Sequence, residues 1–243
     1  MSAELEMMEL VPEPASGRVF EGAIQPGVAD VTGGGRARLD AIARWLQEIA
    51  RQDLEDARFQ GRGVWIVRRT RIRVESFPHY DDRLSLRTFC SGIGRFSAER
   101  RTVIEGEGAR VDTVSRWICL DPQGGRPQRF DDDFKRAYAE TAAGRDANVR
   151  VRHPGPPEGA AASAEPWEFR ATDLDIAGHV NNSHYWGPLE QAFLAGGEPA
   201  GFDGEVEHRE PALPGQAVLL RDGPWAWITS TKGEVHASAF SGA

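Results

Sequence analysis

The chain is poor in lysine, and its charge is acidic overall. Of its 243 residues, 37 are aspartate or glutamate and 29 are lysine or arginine, which gives a formal net charge of −8. Lysine occurs only at positions 135 and 232, so arginine carries nearly all of the positive charge. A protein that binds nucleic acid through its phosphates usually has a basic surplus. The composition therefore argues against nucleic acid as a partner.

The sequence also lacks long apolar runs and has few cysteines. A membrane-spanning helix needs about 20 consecutive apolar residues, and no segment approaches that length. The stretch MSAELEMMELVPEPAS at the start is acidic and does not resemble a secretion signal. We therefore expect a cytoplasmic protein with no membrane partner. Cys90 and Cys119 lie in apolar, strand-like runs, which favours buried free thiols over a disulfide.

The apolar residues that are present follow two periodicities. In residues 36–54, Leu39, Ile42, Leu46 and Ile49 recur at helical spacing, which predicts an amphipathic helix. Strand-like runs, separated by Gly, Asp or Pro turns, follow at 63–76, 82–92, 95–106 and 109–121. One helix followed by several strands indicates the α+β class.

The same order recurs in shorter form after a segment rich in Ala, Gly and Pro. A strand near 167–173 precedes a helical segment at 179–194, and further strands follow. This recurrence predicts two copies of one helix-on-sheet unit. The expected organisation is an extended or disordered tail at 1–17, a first unit at 18–140, a linker at 141–164 and a second unit at 165–243. Pro188 interrupts the second helical segment and predicts a kink or a fresh helical start.

The segment DLDIAGHVNNSHYW, residues 173–186, has more polar side chains than a helix start needs. A single acceptor such as Asp175 is enough for an N-cap, yet His179, Asn181 and Asn182 follow it closely. The alternative to capping is a reaction site. Backbone N–H groups at the helix start would then face a substrate oxygen, and Asp175 would act beside them as a base or nucleophile. The residues alone leave both interpretations open.

The segment DLDIAGHVNNSHYWGPLEQAF resembles the acyl-ACP thioesterase family, and VEHREPALPG resembles that family's downstream segment with a catalytic Glu. The resemblance implies an α+β tandem (double) hotdog, two antiparallel sheets each wrapped around a central helix. It also implies hydrolysis of fatty acyl thioesters in fatty acid biosynthesis, with acyl carrier protein or acyl-CoA as the partner. No metal or cofactor is implied, and a homodimer is left open.

The resemblance assigns the family's catalytic residues to positions in this chain. The catalytic Asp falls on Asp175, the His on His179 and the strand Glu on Glu210. We expect the backbone of Gly178, Val180 and Asn181 to bind the substrate. The family's catalytic Asn falls on Ala177, which has no carboxamide, and Pro211 stands where plant members often have Cys.

Two other functions fit the same segment. A hotdog hydratase or dehydratase also uses an acidic residue with a His, but it usually has Pro between the pair and no Asn-Asn after the His. A non-catalytic acyl-binding module would explain the missing carboxamide at Ala177. The sequence therefore favours a thioesterase and leaves these two functions as alternatives.

Arginines and aromatic residues each suggest two interpretations. Arg69, Arg71 and Arg73 alternate along one predicted strand, which indicates a solvated sheet face or a docking surface for an acidic carrier protein. Six aromatic residues are candidates for the wall of an acyl tunnel or for ordinary core. They are Trp45, Phe59, Trp65, Trp117, Trp225 and Trp227.

Overall fold

A computed structural model describes residues 6–194 and 197–242. The first half of the chain contains five strands and two helices. They are β1 (Phe20–Ile24), α1 (Leu39–Asp56), β2 (Val64–Ser76), β3 (Leu84–Ile93), β4 (Ser97–Gly106), β5 (Ala109–Leu120) and α2 (Asp132–Ala142). The helix and the strands predicted for this half are confirmed, and α2 is an additional element. Asp131 caps α2 by accepting a hydrogen bond from the N–H of Phe134.

The second half repeats the order with a shorter helix. Its elements are β6 (Glu165–Phe169), α3 (Trp186–Leu194), β7 (Phe202–His208), β8 (Gly215–Asp222), β9 (Trp225–Ser230) and β10 (Val235–Gly242). A 3₁₀ helix, Asn182–Tyr185, leads directly into α3. Pro188 lies in the first turn of α3, so the predicted fresh start of the helix is confirmed, two residues before the proline.

The ten strands in the described part of the chain form one antiparallel sheet. The strand order is β1-β3-β4-β5-β2-β7-β10-β9-β8-β6, and the two halves meet where β2 pairs with β7. In this pairing Thr70 lies opposite Val206 and Ile72 opposite Gly204. The α+β class is confirmed, but the expectation of two separate sheets is wrong, because β2 and β7 continue a single hydrogen-bonded ladder.

The main core lies between the helices and this sheet. It includes the apolar face of α1 and residues from both halves, among them Ile42, Leu46, Ile72, Trp186 and Ile228. The N-terminus of α1 is tied to α3, because Glu190 accepts a hydrogen bond from the N–H of Leu39 at 2.8 Å. A second cluster gathers α2 and the end of α1 around aromatic rings, with Cys119 and Cys90 at its edge. Its rings are Phe59, Trp65, Phe130, Phe134 and Tyr138.

The segment before β1 lies across the strands. Within its described part, residues 6–17, it forms no helix or strand, and Met8 and Val11 are buried. The N–H of Met8 donates to Glu205, and Arg101 donates to the carbonyl of Val11 at 2.9 Å. The first five residues of the expected tail lie outside the described residues. The described part is therefore held by β4 and β7.

The arginines of β2 are not a solvated face. Arg69 is buried in an ion pair with Glu205 of β7, and Arg71 makes two bonds to Asp203, at 2.9 and 2.7 Å. Arg73 is the exception, because its side chain is half exposed. Arg69 and Arg71 therefore form neither a solvated face nor a docking surface for an acidic carrier protein, and both interpretations are wrong for them. Carboxylates on β7 already bind their charges. These ion pairs join the two halves of the sheet.

Candidate active site

The segment predicted as a reaction site folds into a tight turn before the second helix. Leu174 and Val180 form an isolated bridge, and the N–H of Asp175 donates to the carbonyl of His179 at 2.9 Å. Gly178 has a φ of +77°, a left-handed conformation that favours glycine. The turn brings the two ends of the segment together and leaves its tip exposed.

The carboxylate of Asp175 is held inside this turn and does not cap the helix. One oxygen accepts the N–H of Ala177 at 2.8 Å, and the other lies 3.4 Å from the Nδ2 of Asn181. The N-cap is Asn181 instead, whose Oδ1 accepts the N–H of Ser183 at 2.9 Å. Capping therefore accounts for Asn181 and not for Asp175.

Asn181 is also bonded to the first half of the chain. Its carboxamide and that of Gln47 on α1 donate to each other, both at 3.1 Å. Because the Oδ1 of Asn181 accepts bonds from Ser183, its Nδ2 faces Gln47 and Asp175. The orientation of the amide is thus fixed by its neighbours. α1 therefore positions a side chain that contacts the Asp175 carboxylate.

A cavity of about 320 Å³ opens beside Asp175. This volume is within the range of small-molecule sites. Asp175 lines one end of the cavity, together with Ile176, Asn181 and Asn182. The remaining lining comes from the first half, namely Gln47, Ala50, Arg51, Leu54, Trp65, Cys90, Ala98, Glu99, Arg100, Trp117 and Phe134.

The cavity runs along α1, away from Asp175. Gln47 lies near the Asp175 end, and Leu54, seven residues later on the same helix, lies roughly 10 Å further along the axis. Leu54 of α1 and Phe134 of α2 provide apolar lining at that inner end. Of the six aromatic candidates, Trp65 and Trp117 line the cavity. The shape suits an extended apolar chain with its reactive end at Asp175.

Charged groups at the inner end are paired. Arg100 bonds to Asp53 at 2.7 Å, and Glu99 accepts a bond from Arg116 at the same distance. Burial alone would lower the pKa of Arg100, but the nearby Asp53 charge outweighs it and the pKa is raised. Arg100 therefore stays charged. Burial also raises the pKa of the Cys90 thiol to about 12, which keeps that cavity-lining group neutral.

Three of the helix-start amides donate to carbonyls of the protein itself. The N–H of Gly178 donates to the carbonyl of Asp175, that of Val180 to Ala212 and that of Asn181 to Asp173. Internal carbonyls therefore already accept from these three N–H groups, and substrate binding by Gly178, Val180 and Asn181 stays a prediction. Asn182 follows, at the first position of the 3₁₀ helix, and it lines the cavity. Within residues 6–194 and 197–242, its N–H donates to no other group of the protein.

His179 and Glu210 lie outside the cavity. Both side chains are exposed, and Glu210 follows the end of β7 instead of lying on the strand. The two segments run side by side, because Val180 donates to the carbonyl of Ala212 at 3.0 Å and Ala212 donates to the hydroxyl of Tyr185. His179 and Glu210 thus flank the same junction. Their joint action with Asp175 stays a prediction.

The other residues singled out near the motif have varied surroundings. Ala177 is exposed at the tip of the turn. His184 lies 3.8 Å from Asp173 and outside the cavity, as expected for a structural residue. His208 is buried on β7 under the ring of Tyr185. Sequence reasoning missed Gln47, whose spacing on α1 matched the polar face of an ordinary amphipathic helix.

Neither a metal centre nor a membrane-spanning helix is found in the described part of the chain. Residues 6–194 and 197–242 contain no cluster of three or more His, Cys, Asp or Glu side chains arranged to hold a metal ion. In the same residues, no helix combines the length and apolarity needed to cross a bilayer.

Comparison with known proteins agrees with this architecture. The chain is 28% identical over 217 residues to an uncharacterized protein of Mycobacterium tuberculosis, covering 88% of this chain and 86% of that protein. It is 25% identical over 174 residues to the chloroplastic oleoyl-acyl carrier protein thioesterase 2 of Arabidopsis thaliana, covering 62% of this chain and 47% of that protein. An acyl-ACP thioesterase from Bacteroides thetaiotaomicron has the same fold, with a TM-score of 0.75, 15% identity and coverage of 92% and 96% of the two chains.

Family models match both halves. Residues 17–138 match the acyl-ACP thioesterase N-terminal domain, and residues 158–195 match the acyl-ACP thioesterase C-terminal domain. The first match contains α1 and most of the cavity wall, and the second contains the turn with Asp175. The chain belongs to the acyl-ACP thioesterase family.

Proposed function

We propose that the protein hydrolyses fatty acyl thioesters to a free fatty acid and a thiol, with acyl-ACP as substrate and acyl-CoA as a second possible carrier. The observation that carries this proposal is the position of Asp175, a carboxylate at one end of an apolar cavity. Such a cavity takes up the acyl chain and leaves its thioester end beside a group that can accept a proton. Membership in the family supports the same reaction.

In the proposed reaction, Asp175 takes a proton from a water molecule as the water oxygen attacks the thioester carbonyl carbon. The carbonyl oxygen becomes negative and accepts a hydrogen bond from the N–H of Asn182 at the helix start. When the carbonyl reforms, the carbon–sulfur bond breaks and the sulfur leaves as a thiolate. The proton held by Asp175 returns to solvent or to that thiolate, which restores the carboxylate.

We assign supporting roles to His179 and Glu210. They flank the junction between the Asp175 turn and the segment after β7, and both are exposed. From that position they can bind the polar carrier end of the substrate or transfer the proton between water and bulk solvent. The carboxamide that the family motif would place at 177 is absent, so Asp175 is the residue on which the rate depends most.

A thiol-release assay separates the proposed reaction from its alternatives. Hydrolysis of an acyl-ACP or acyl-CoA releases a free thiol, a hydratase changes the acyl chain without releasing thiol, and a binding module protects the thioester without turnover. Asp175→Asn should lower the rate at least about tenfold, because a positioned base contributes roughly 10²- to 10⁴-fold. Asp173→Asn is the matched control from the same motif, because Asp173 does not line the cavity, and it should keep most of the activity. Equal rates in wild type and Asp175→Asn would exclude Asp175 as the base.

A further inference from the structure

A small polar chamber lies beside the cavity next to Asp175, which we call the acyl cavity. The chamber is between α1, α3 and the centre of the sheet. Its volume is about 10 Å³. Seven of the residues that line it carry polar groups: Gln47, Thr70, Ser115, Trp117, Asn182, Trp186 and His208. An apolar core would normally fill such a space with aliphatic side chains. The polar lining therefore indicates a partner that makes hydrogen bonds.

Two of these polar groups have no partner. Within the described part of the chain, neither the Nε1 of Trp117 nor the Nδ1 of His208 makes a hydrogen bond, and both atoms are buried. The His208 residue is only 6% exposed. A buried polar group without a partner typically lowers the stability of the fold by about 1 to 3 kcal/mol. Native proteins therefore rarely leave such a group without a hydrogen bond. Trp117 and His208 both line this chamber.

The chemistry of the missing partner can be specified. Burial, with a contribution from the charge of Arg68, lowers the pKa of His208 to about 3, so the imidazole is neutral. A neutral imidazole offers one donor and one acceptor, and the indole N–H of Trp117 offers a donor. A hydroxyl or water oxygen has the acceptor and donor capacity to match both groups, and a chamber of this size holds about one water-sized oxygen.

The chamber shares part of its wall with the cavity, on the side of the Asp175 turn. Gln47, Trp117 and Asn182 line both spaces, whereas the inner-end residues Cys90, Arg100 and Phe134 line only the cavity. Asn182 and Gln47 are also the residues nearest to the Asp175 turn, because Gln47 bonds to Asn181. An oxygen in the chamber is therefore close to the carbonyl end of a bound acyl chain and not to its distal end.

We propose that this chamber binds a hydroxyl group carried by the acyl chain within a few carbons of the thioester, so that the enzyme selects hydroxyacyl thioesters. The inference rests on the proposed function. In the free protein a water occupies the chamber, and a substrate hydroxyl replaces it with the same hydrogen bonds. A methylene group at that position cannot reproduce those bonds and gains nothing by displacing the water.

The test compares dodecanoyl-CoA with the two enantiomers of 3-hydroxydodecanoyl-CoA, first by thiol release and then by binding of the matching non-hydrolysable thioether analogues. We expect one enantiomer to have a kcat/KM and an affinity about tenfold higher than the unsubstituted chain. Trp117→Phe removes the indole N–H and keeps an aromatic ring, and His208→Leu removes the imidazole. Each variant should bring the hydroxyl preference, the ratio of kcat/KM for the hydroxylated chain to kcat/KM for the unsubstituted chain, close to one. This holds whatever the absolute rates are.

Trp65→Phe is the matched control. Trp65 lines the acyl cavity but not the chamber, so this variant should keep the preference of the wild type. Equal binding of all three chains by the wild type, or a preference that survives in both chamber variants, would overturn the proposal. If no thioester releases thiol, the proposed function fails, and the binding of the thioether analogues still decides whether the chamber recognises a hydroxyl.

Discussion

Gln47 and Asn181 hold each other by two reciprocal hydrogen bonds of 3.1 Å, across the boundary between the two halves of the chain. Asn181 in turn contacts the Asp175 carboxylate at 3.4 Å. A residue of the first helix thus sets the position of the group that we propose as the base. Since Ala177 supplies no carboxamide, the carboxamides near Asp175 are those of Gln47, Asn181 and Asn182.

Gln47→Leu should lower kcat about tenfold with little change in KM, because the loss of its two bonds frees Asn181 and loosens the Asp175 carboxylate. The measurement is steady-state kinetics on an acyl thioester. Gln52→Leu is a control on the same helix, because Gln52 bonds to the exposed Glu48 and lies outside the cavity.

Asn181→Ala tests whether Gln47 acts through Asn181. If it does, the double variant Gln47→Leu/Asn181→Ala should be about as slow as Asn181→Ala alone, because the second change removes an interaction already lost. Additive losses in kcat would show that Gln47 acts independently of Asn181.

Ala98→Leu should shorten the acyl chains that the enzyme accepts. Ala98 lines the cavity and is buried, so a larger side chain there takes up space that the chain would occupy. Each methylene that no longer fits changes kcat/KM by about tenfold or more. The measurement is a thiol-release profile over a series of chain lengths. An unchanged profile would mean that the acyl chain binds elsewhere.

The buried Glu205 should make stability fall in acid. Burial would raise its pKa, but the hydrogen bond from His153 and the charge of Arg69 outweigh burial and hold the pKa below the ordinary 4.5. The stability that this carboxylate contributes is therefore complete above pH 4.5, and it is lost as the pH falls through the lowered value in the folded protein.

Glu205→Gln tests this contribution. The change leaves Arg69 buried without a charged partner, which should cost about 3 kcal/mol at neutral pH. Urea unfolding over a pH series should also show a flatter decline below pH 4.5 than in the wild type. A decline as steep as that of the wild type would assign the acid sensitivity to other carboxylates.

The two thiols should react slowly and respond differently to ligand. Burial raises the pKa of Cys90 to about 12 and that of Cys119 to about 11, so few thiolates exist near neutral pH. Iodoacetamide should label both in denaturant and neither rapidly in the folded protein. Only Cys90 lines the acyl cavity, so a bound fatty acid should slow its labelling further and leave Cys119 unaffected, as measured by mass spectrometry. Equal protection of both thiols would contradict this location of the ligand.

Local patterns in the sequence were sufficient for most of the secondary structure. The apolar spacing of α1 and the strand runs of β2 to β5 depend on short-range periodicity, which the sequence displays directly. The pairing of β2 with β7 was not predictable in this way, because it joins residues 128 to 138 positions apart, from Val74 with Phe202 to Arg69 with Glu207. The burial of Arg69 has the same origin, since its partner Glu205 lies on β7.

The candidate site was likewise predictable only where its signal is local in the sequence. The motif located Asp175, because its resemblance to a family is a short-range property of the chain. It did not show that the N–H groups of Val180 and Asn181 bind internal carbonyls, because those partners depend on the closed turn and on Ala212. Gln47 was missed for a related reason, since a Gln on the polar face of a helix has no distinguishing local signal.

The unbroken ladder from β1 to β6 restricts how a substrate can enter. Separating the two halves would break the hydrogen bonds between β2 and β7 and expose the Arg69–Glu205 pair, so we expect no clamshell opening of the molecule. In the reaction that we propose, the acyl chain threads lengthwise from the Asp175 end, which leaves the bulky carrier outside throughout a catalytic cycle.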